Sequence, residues 1–305
     1  MKHSLNRNDI NRINLMVPVV IMIVIFTTFL QAGSMVDKNT IKIASQPGIE
    51  QAILGEILYN LIEEKTDLKV KLTKDVNNPM IQKGLSKGQY DLYPEYTGFA
   101  WSDILKKESL KDDSKLFDEL QKIYYSNLNL NWVGIYGFNS TYGIAVREET
   151  AKLYNLKTYS DLAKISRELT FGAEPEFYEK EYGFSSLSAI YNMEFQHTKD
   201  LNLDNKYAAL DDKSVDVISI FNTDSERANH NIVVLEDDKH YYDTYYCGSV
   251  VRTETLKNHP DLLETLMLLD NLISDSDMAE MNNLVSSGAK TESEVAKDFL
   301  KEKGL

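Results

Sequence analysis

Asp91-Leu92-Tyr93-Pro94-Glu95-Tyr96-Thr97-Gly98-Phe99 is the stretch on which the reading of this chain turns. Residues 89–93 have the composition of a strand, the proline stops the ladder, and Gly98 sets a turn carrying Tyr96 and Thr97. In open α/β sheets, ligands are held at the carboxyl ends of strands. An aromatic face beside a hydroxyl can attract a methylated cation and offer a hydrogen bond to another part of the same molecule. A lone tyrosine in such a place is more often a buried closure of the strand and turn, so the surroundings decide.

Upstream, residues 41–44 alternate as a strand, Ser45-Gln46-Pro47-Gly48 breaks it, and residues 49–65 place Ile53, Leu54, Ile57, Leu58 and Leu61 at helical spacing. A second strand at 68–72 and a short helix at 79–87 follow. This β–α–β–α–β succession predicts a parallel sheet with right-handed crossovers. Downstream, residues 114–128 read as helix, and 132–136 and 141–146 as strands. Next come a helix over 159–169 with Ser160 as its cap, and strands at 169–173, 215–220 and 232–235. Residues 237–246 form a polar, aromatic loop, 249–251 a last strand, and 260–273, 275–284 and 291–303 three closing helices. Ser274 and Thr291 have N-cap chemistry. The chain therefore holds two α/β units, the middle one near 142–245, and crosses between them near 139–142 and near Tyr245.

Composition narrows the function. Lys+Arg 33 against Asp+Glu 47 gives −14; without residues 1–34, which carry three basic and one acidic residue, 30 face 46, or −16. So acidic a body repels phosphate backbones and argues against a nucleic-acid partner. Cys247 stands alone, which rules out an internal disulfide, and the five histidines show no ligand spacing, so no metal site is expected. Neither G-x-S-x-G, HExxH, P-loop nor G-x-G-x-x-G occurs, so no enzyme or cofactor is indicated. The pairs Asp211-Asp212 and Asp237-Asp238 read as solvated ends, and Glu174 and Glu176 as carboxylates near a strand end that could approach a cleft. Trp101, Trp132, Tyr136 and the pair Tyr241-Tyr242 read as core or surface aromatics.

Residues 1–12, with Lys2, Arg7 and Arg12, precede an uncharged run over 13–34. This is a signal peptide or membrane anchor, with the uncleaved anchor favoured by the length of the apolar stretch. Ala32 and Ser34 would suit a signal peptidase, and Ser34 stands where a lipoprotein box has its cysteine. The basic flank places the chain from about residue 36 onward outside the cytoplasm.

The motifs Glu50-Gln51-x-Ile53-Leu54-Gly55, Asp91 to Gly98, Gly137-Phe138-Asn139-Ser140-Thr141-Tyr142, Phe171-Gly172-Ala173-Glu174 and Val234 to His240 together resemble one family. It comprises the substrate-binding proteins of ABC importers for quaternary-ammonium osmoprotectants: glycine betaine, choline and carnitine. The resemblance spans nearly all of residues 40–305. It implies a two-lobed, type II periplasmic-binding fold, lobe 1 from 35–141 and 246–305 and lobe 2 from 142–245, hinged on two crossover segments. The resemblance further implies an aromatic cage of Tyr96, Tyr142, Phe221 and Tyr245, with Phe221 where relatives usually have tyrosine. Thr97 and Gln51 would be polar partners, and Phe99 and Gln46, which depart from the family pattern, positions of specificity. A monomeric ectodomain would hand its ligand to an ABC permease. A ligand-sensing or adhesion module on the same fold is the alternative. An arginine clamp for amino acids is disfavoured, since none of Arg147, Arg167, Arg227 and Arg252 falls in a motif loop.

A trimethylammonium group has no N–H to donate, so a carboxylate partner gains only Coulomb attraction at a large desolvation cost. Aromatic faces avoid that cost and contribute about 0.5–2 kcal/mol per ring once water is excluded. Eighteen tyrosines make such a cage feasible.

Overall fold

The computed structural model describes residues 39–202 and 205–305, and the expectations for residues 1–34 lie outside the described residues. Among the described residues no helix is long and apolar enough to cross a membrane.

The strands are β1 (Thr40–Ala44), β2 (Lys69–Thr73), β3 (Leu92–Tyr96), β4 (Leu130–Val133), β5 (Tyr142–Arg147), β6 (Thr170–Ala173), β7 (His197–Asp200), β8 (Val217–Phe221), β9 (Ile232–Leu235) and β10 (Cys247–Arg252). They form two five-stranded sheets, ordered β2-β1-β3-β10-β4 and β7-β6-β8-β5-β9. β1 pairs parallel with β3, and β6 parallel with both β7 and β8. Both sheets are mixed, however, where the strand–helix alternation predicts a parallel one. β10 runs antiparallel to β3 and β4, and β5 antiparallel to β8 and β9. In each sheet the reversed strand is the one laid down just after the chain arrives from the other sheet.

Each sheet is covered on both faces. On β10, Val250 packs into the cluster holding Tyr93, Trp132 and Tyr124, while the next residue, Val251, joins the cluster of Ile43, Leu92 and the helix Ile49–Lys65. That alternation is the pleat of a strand buried on both sides. The second sheet is sandwiched likewise by the clusters of Phe171 with Tyr159 and of Tyr207 with Ile218. Cys247 is a buried core residue, as are Trp132 and Tyr136.

Three local expectations are corrected. The strand carrying Pro94 does not stop there but runs Leu92–Tyr96. The Thr97 amide donates to the Tyr246 carbonyl on the β10 side (2.8 Å), so alternation turns the Pro94 position toward β1, whose pairing ends at Leu92. A missing N–H costs nothing on that side. The helix Tyr159–Ile165 is capped by Thr158, not Ser160, because Thr158 forms a capping box with Asp161. The strand expected at 132–136 is Leu130–Val133, ended by Gly134 at φ +67°. Ser274 and Thr291 do cap their helices, each in a capping box.

Between the sheets the two crossings form a ribbon. Asn139 bridges antiparallel to Tyr246, the Ser140 amide donates to the Tyr245 carbonyl (3.1 Å), and the Tyr245 amide donates to Asn139 Oδ1 (2.7 Å).

On β3, Glu95 is fully buried and its partners are neutral donors: Gln46 Nε2 (3.2 Å), Asn78 Nδ2 and the Tyr96 amide (2.8 Å). Burial pushes its carboxyl up to about 7. A folded value above the unfolded one stabilises most below the unfolded pKa, and that contribution is lost as pH rises through about 7. Urea unfolding at a series of pH values should show the wild type losing roughly 2–3 kcal/mol between about pH 4.5 and 7 relative to Glu95→Gln. Parallel profiles for the two proteins would refute this.

Candidate functional site

Tyr142 opens β5 and Phe221 closes β8, and the antiparallel register sets them directly opposite. Their rings meet at 4.2 Å between centroids, 33° apart, as a cross-strand aromatic pair. Tyr142 also touches Tyr242 (5.7 Å) and Tyr182 (6.1 Å). Tyr245 arrives from the second crossing. These residues line one cavity of about 420 Å³ together with Tyr241, Lys111, Ser140, Thr141 and Asp243.

Polar side chains fix each wall. The Asp237 carboxylate accepts the amides of Tyr241 (3.0 Å) and Tyr242 (2.9 Å) and the Tyr191 hydroxyl, so it organises the aromatic loop and is no mere solvated end. Behind Phe221, Lys206 has a side chain only 3% exposed and pairs with Asp224 (2.9 Å) and Glu174 (3.1 Å). Asp224 in turn accepts the Phe221 amide (3.2 Å) and the Tyr207 hydroxyl (3.1 Å). Glu174 therefore serves this ion pair, while Glu176 is exposed. At the mouth, Lys111 pairs with Asp243 (2.7 Å), which also accepts from Ser109 Oγ (2.6 Å). Gly98 admits the Tyr245 ring: a Cβ there would lie 2.8 Å and 2.9 Å from ring carbons and 2.6 Å from the Thr244 carbonyl oxygen.

Of the residues expected at the site, the structure brings Tyr142, Phe221 and Tyr245 onto one cavity; Tyr96, Thr97 and Gln51 stand outside its lining. The Tyr96 phenol donates to Glu50 Oε1 (2.5 Å), and burial, together with that carboxylate, raises its pKa. Glu50 itself lines a neighbouring cavity of about 340 Å³ with Asn282, Thr223, Ser140 and Phe221, the last two shared with the first. Thr97 gives its hydroxyl to the Thr244 carbonyl (3.3 Å), tying the end of β3 to the crossing that carries Tyr245. Gln51 is buried with no hydrogen bond to its carboxamide. Gln46 is engaged with Glu95, and Phe99 closes the helical turn Thr97–Phe99.

Tyr182, Tyr241, Tyr242, Lys111 and Asp243 are the lining residues that sequence reasoning did not single out. Four tyrosines among residues 237–246 were the available signal. Tyr242 is both core and wall, since it packs into the second sheet's cluster and faces the cavity. Among the described residues no group of His, Cys, Asp and Glu is placed to hold a metal ion.

Residues 39–302 match the family described as the substrate binding domain of ABC-type glycine betaine transport systems. The chain belongs to that family. It is a family of solute-binding components of transporters, not of enzymes. The carnitine transport binding protein OpuCC of Listeria monocytogenes is 33% identical, covering 86% of each chain. The ergothioneine transport permease/ergothioneine binding protein of Helicobacter pylori is 35% identical over 88% of this chain, which spans about half (49%) of that relative's length. A crystal structure of a glycine betaine/carnitine/choline ABC transporter superposes with a TM-score of 0.79 at 30% identity, covering 86% of this chain and 98% of the other.

Two variants test how the walls are held. Gly98→Ala forces the Tyr245 ring and the Thr244 carbonyl apart, and overpacking of this kind costs about 1–3 kcal/mol in urea unfolding. Lys206→Met leaves two carboxylates facing each other without their cation, for a loss of about 3 kcal/mol, the lower end for a broken buried pair because both acids keep some exposure. Wild-type stability in either variant would contradict the assigned packing.

Proposed function

We propose that this chain captures a quaternary-ammonium compatible solute between two lobes and delivers it to an ABC permease. The observation that carries the reading is the cavity itself. Six aromatic rings line it, and its one carboxylate, Asp243, is already paired with Lys111. Such walls attract a methylated cation through their π faces without the desolvation cost of an ionic partner.

In this reading Tyr142 and Phe221, stacked on one another, form one wall rather than two opposed ones. Tyr245, laid on Gly98, faces them from the first sheet's side, and Tyr182, Tyr241 and Tyr242 complete the enclosure. Tyr96 holds Glu50 at the neighbouring cavity, which takes the ligand's far end, with Thr97 and Gln51 beside the two in the chain. Residues 35–141 with 246–305 make one lobe and 142–245 the other. The rings belong to the second or, as Tyr245, stand at its boundary, while the first adds Lys111, Ser140 and Thr141, so a ligand that touches both stabilises their closure. Residues 13–34 export or anchor a monomeric ectodomain at the outer face of the cell membrane. The substrates named for the relatives, carnitine, glycine betaine and ergothioneine, share a trimethylammonium group, in keeping with this proposal.

Isothermal titration with glycine betaine, carnitine, ergothioneine and choline tests it. At least one should bind, and Tyr142→Ala and Tyr245→Ala should each weaken binding at least tenfold, the loss of about 1.4 kcal/mol expected for a removed ring. No binding of any of the four, or affinities unchanged in both variants, would refute the proposal.

A further inference from the structure

Lys180 follows the short helix Pro175–Glu179 and sends its ammonium to Tyr142, one of the residues that line the cavity. Its Nζ donates to the Tyr142 hydroxyl (2.9 Å) and stands 5.5 Å from the Tyr142 ring centroid and 5.8 Å from that of Tyr182. An ammonium that close to the oxygen, yet that far from the ring centre, lies beyond the hydroxyl near the ring plane. The ammonium thus does not cover the Tyr142 π face. Its carboxylate partner, Glu176, is 3.8 Å away on an exposed side chain, where an ion pair contributes little. Lys111, the other cation at the cavity, is by contrast held at 2.7 Å by Asp243. Lys180 therefore sets one weakly neutralised positive charge between two tyrosines that line the cavity.

We infer that Lys180 is a specificity-determining residue: it receives the carboxylate of the ligand and selects trimethylammonium zwitterions over choline. The inference rests on the aromatic-cage reading above. A zwitterion places its cation on the rings and its anion on Lys180, forming a charge-assisted hydrogen bond. Choline, which has no anion, meets only like charge there.

Titration of wild type, Lys180→Met and Lys180→Arg with glycine betaine, carnitine and choline decides the matter, with thermal melts to confirm folding and Lys180→Gln as a replacement should the Met variant not fold. Wild type should bind at least one zwitterion tenfold or more tighter than choline. Lys180→Met should lose at least tenfold on that zwitterion while choline binding holds or tightens, and Lys180→Arg should retain most of the preference. Equal changes for zwitterion and choline, no change for either, or a wild type without preference overturns the assignment and leaves the cage standing. A wild type that binds none of the three overturns the assignment, and it overturns the cage as well when ergothioneine also fails to bind.

Discussion

The two crossing segments are hydrogen-bonded to each other, and that ribbon places two of the rings that line the cavity. Asn139 closes the bond from both sides, its backbone bridging Tyr246 and its side-chain oxygen accepting the Tyr245 amide. Tyr142 follows three residues later and Tyr245 sits inside the ribbon itself. Two rings far apart in sequence are thus fixed at one spot by a few backbone bonds. The sheets on either side need only hold their own strands in register.

In each sheet the single reversed strand is the one that receives the crossing chain: β5, entered after β4, pairs antiparallel with β8 and β9, and β10, on the return, with β3 and β4. Pairing antiparallel places Tyr142 against Phe221, and the stacked pair becomes one wall. Topology, and not a local preference of either residue, makes these two rings neighbours.

Much of this was legible in the order of residues. Helical periodicity marked Ile49–Lys65, and the N-cap chemistry of Ser274 and Thr291 marked the starts of two late helices. What was hidden depended on partners far away in sequence. Pro94 looks like a terminator until β1 is known to stop pairing before it. β7, exposed at all four residues, carries no hydrophobic alternation to betray an edge strand. Tyr241 and Tyr242 could not be told from ordinary aromatics because Asp237, which aims them, reads as a solvated acid. The displacement of Tyr96 from the cavity lining follows from Glu50, whose motif gives no hint that its carboxylate holds the Tyr96 phenol.

The helix Asp275–Ser286, near the end of the chain, touches both halves of the molecule. Asn282 donates to Glu50 Oε2 (3.0 Å) and to the Thr223 carbonyl (2.9 Å), Asn283 and Asn229 exchange amide bonds, and Arg227 reaches Ser276 (3.2 Å). What looks like a trailing appendage is thus a strut on the flank beside Glu50. A swing of one sheet against the other would have to pivot there or break those amide pairs first. Trimming the chain back past Asn282 would loosen a turn some sixty residues upstream that carries Phe221.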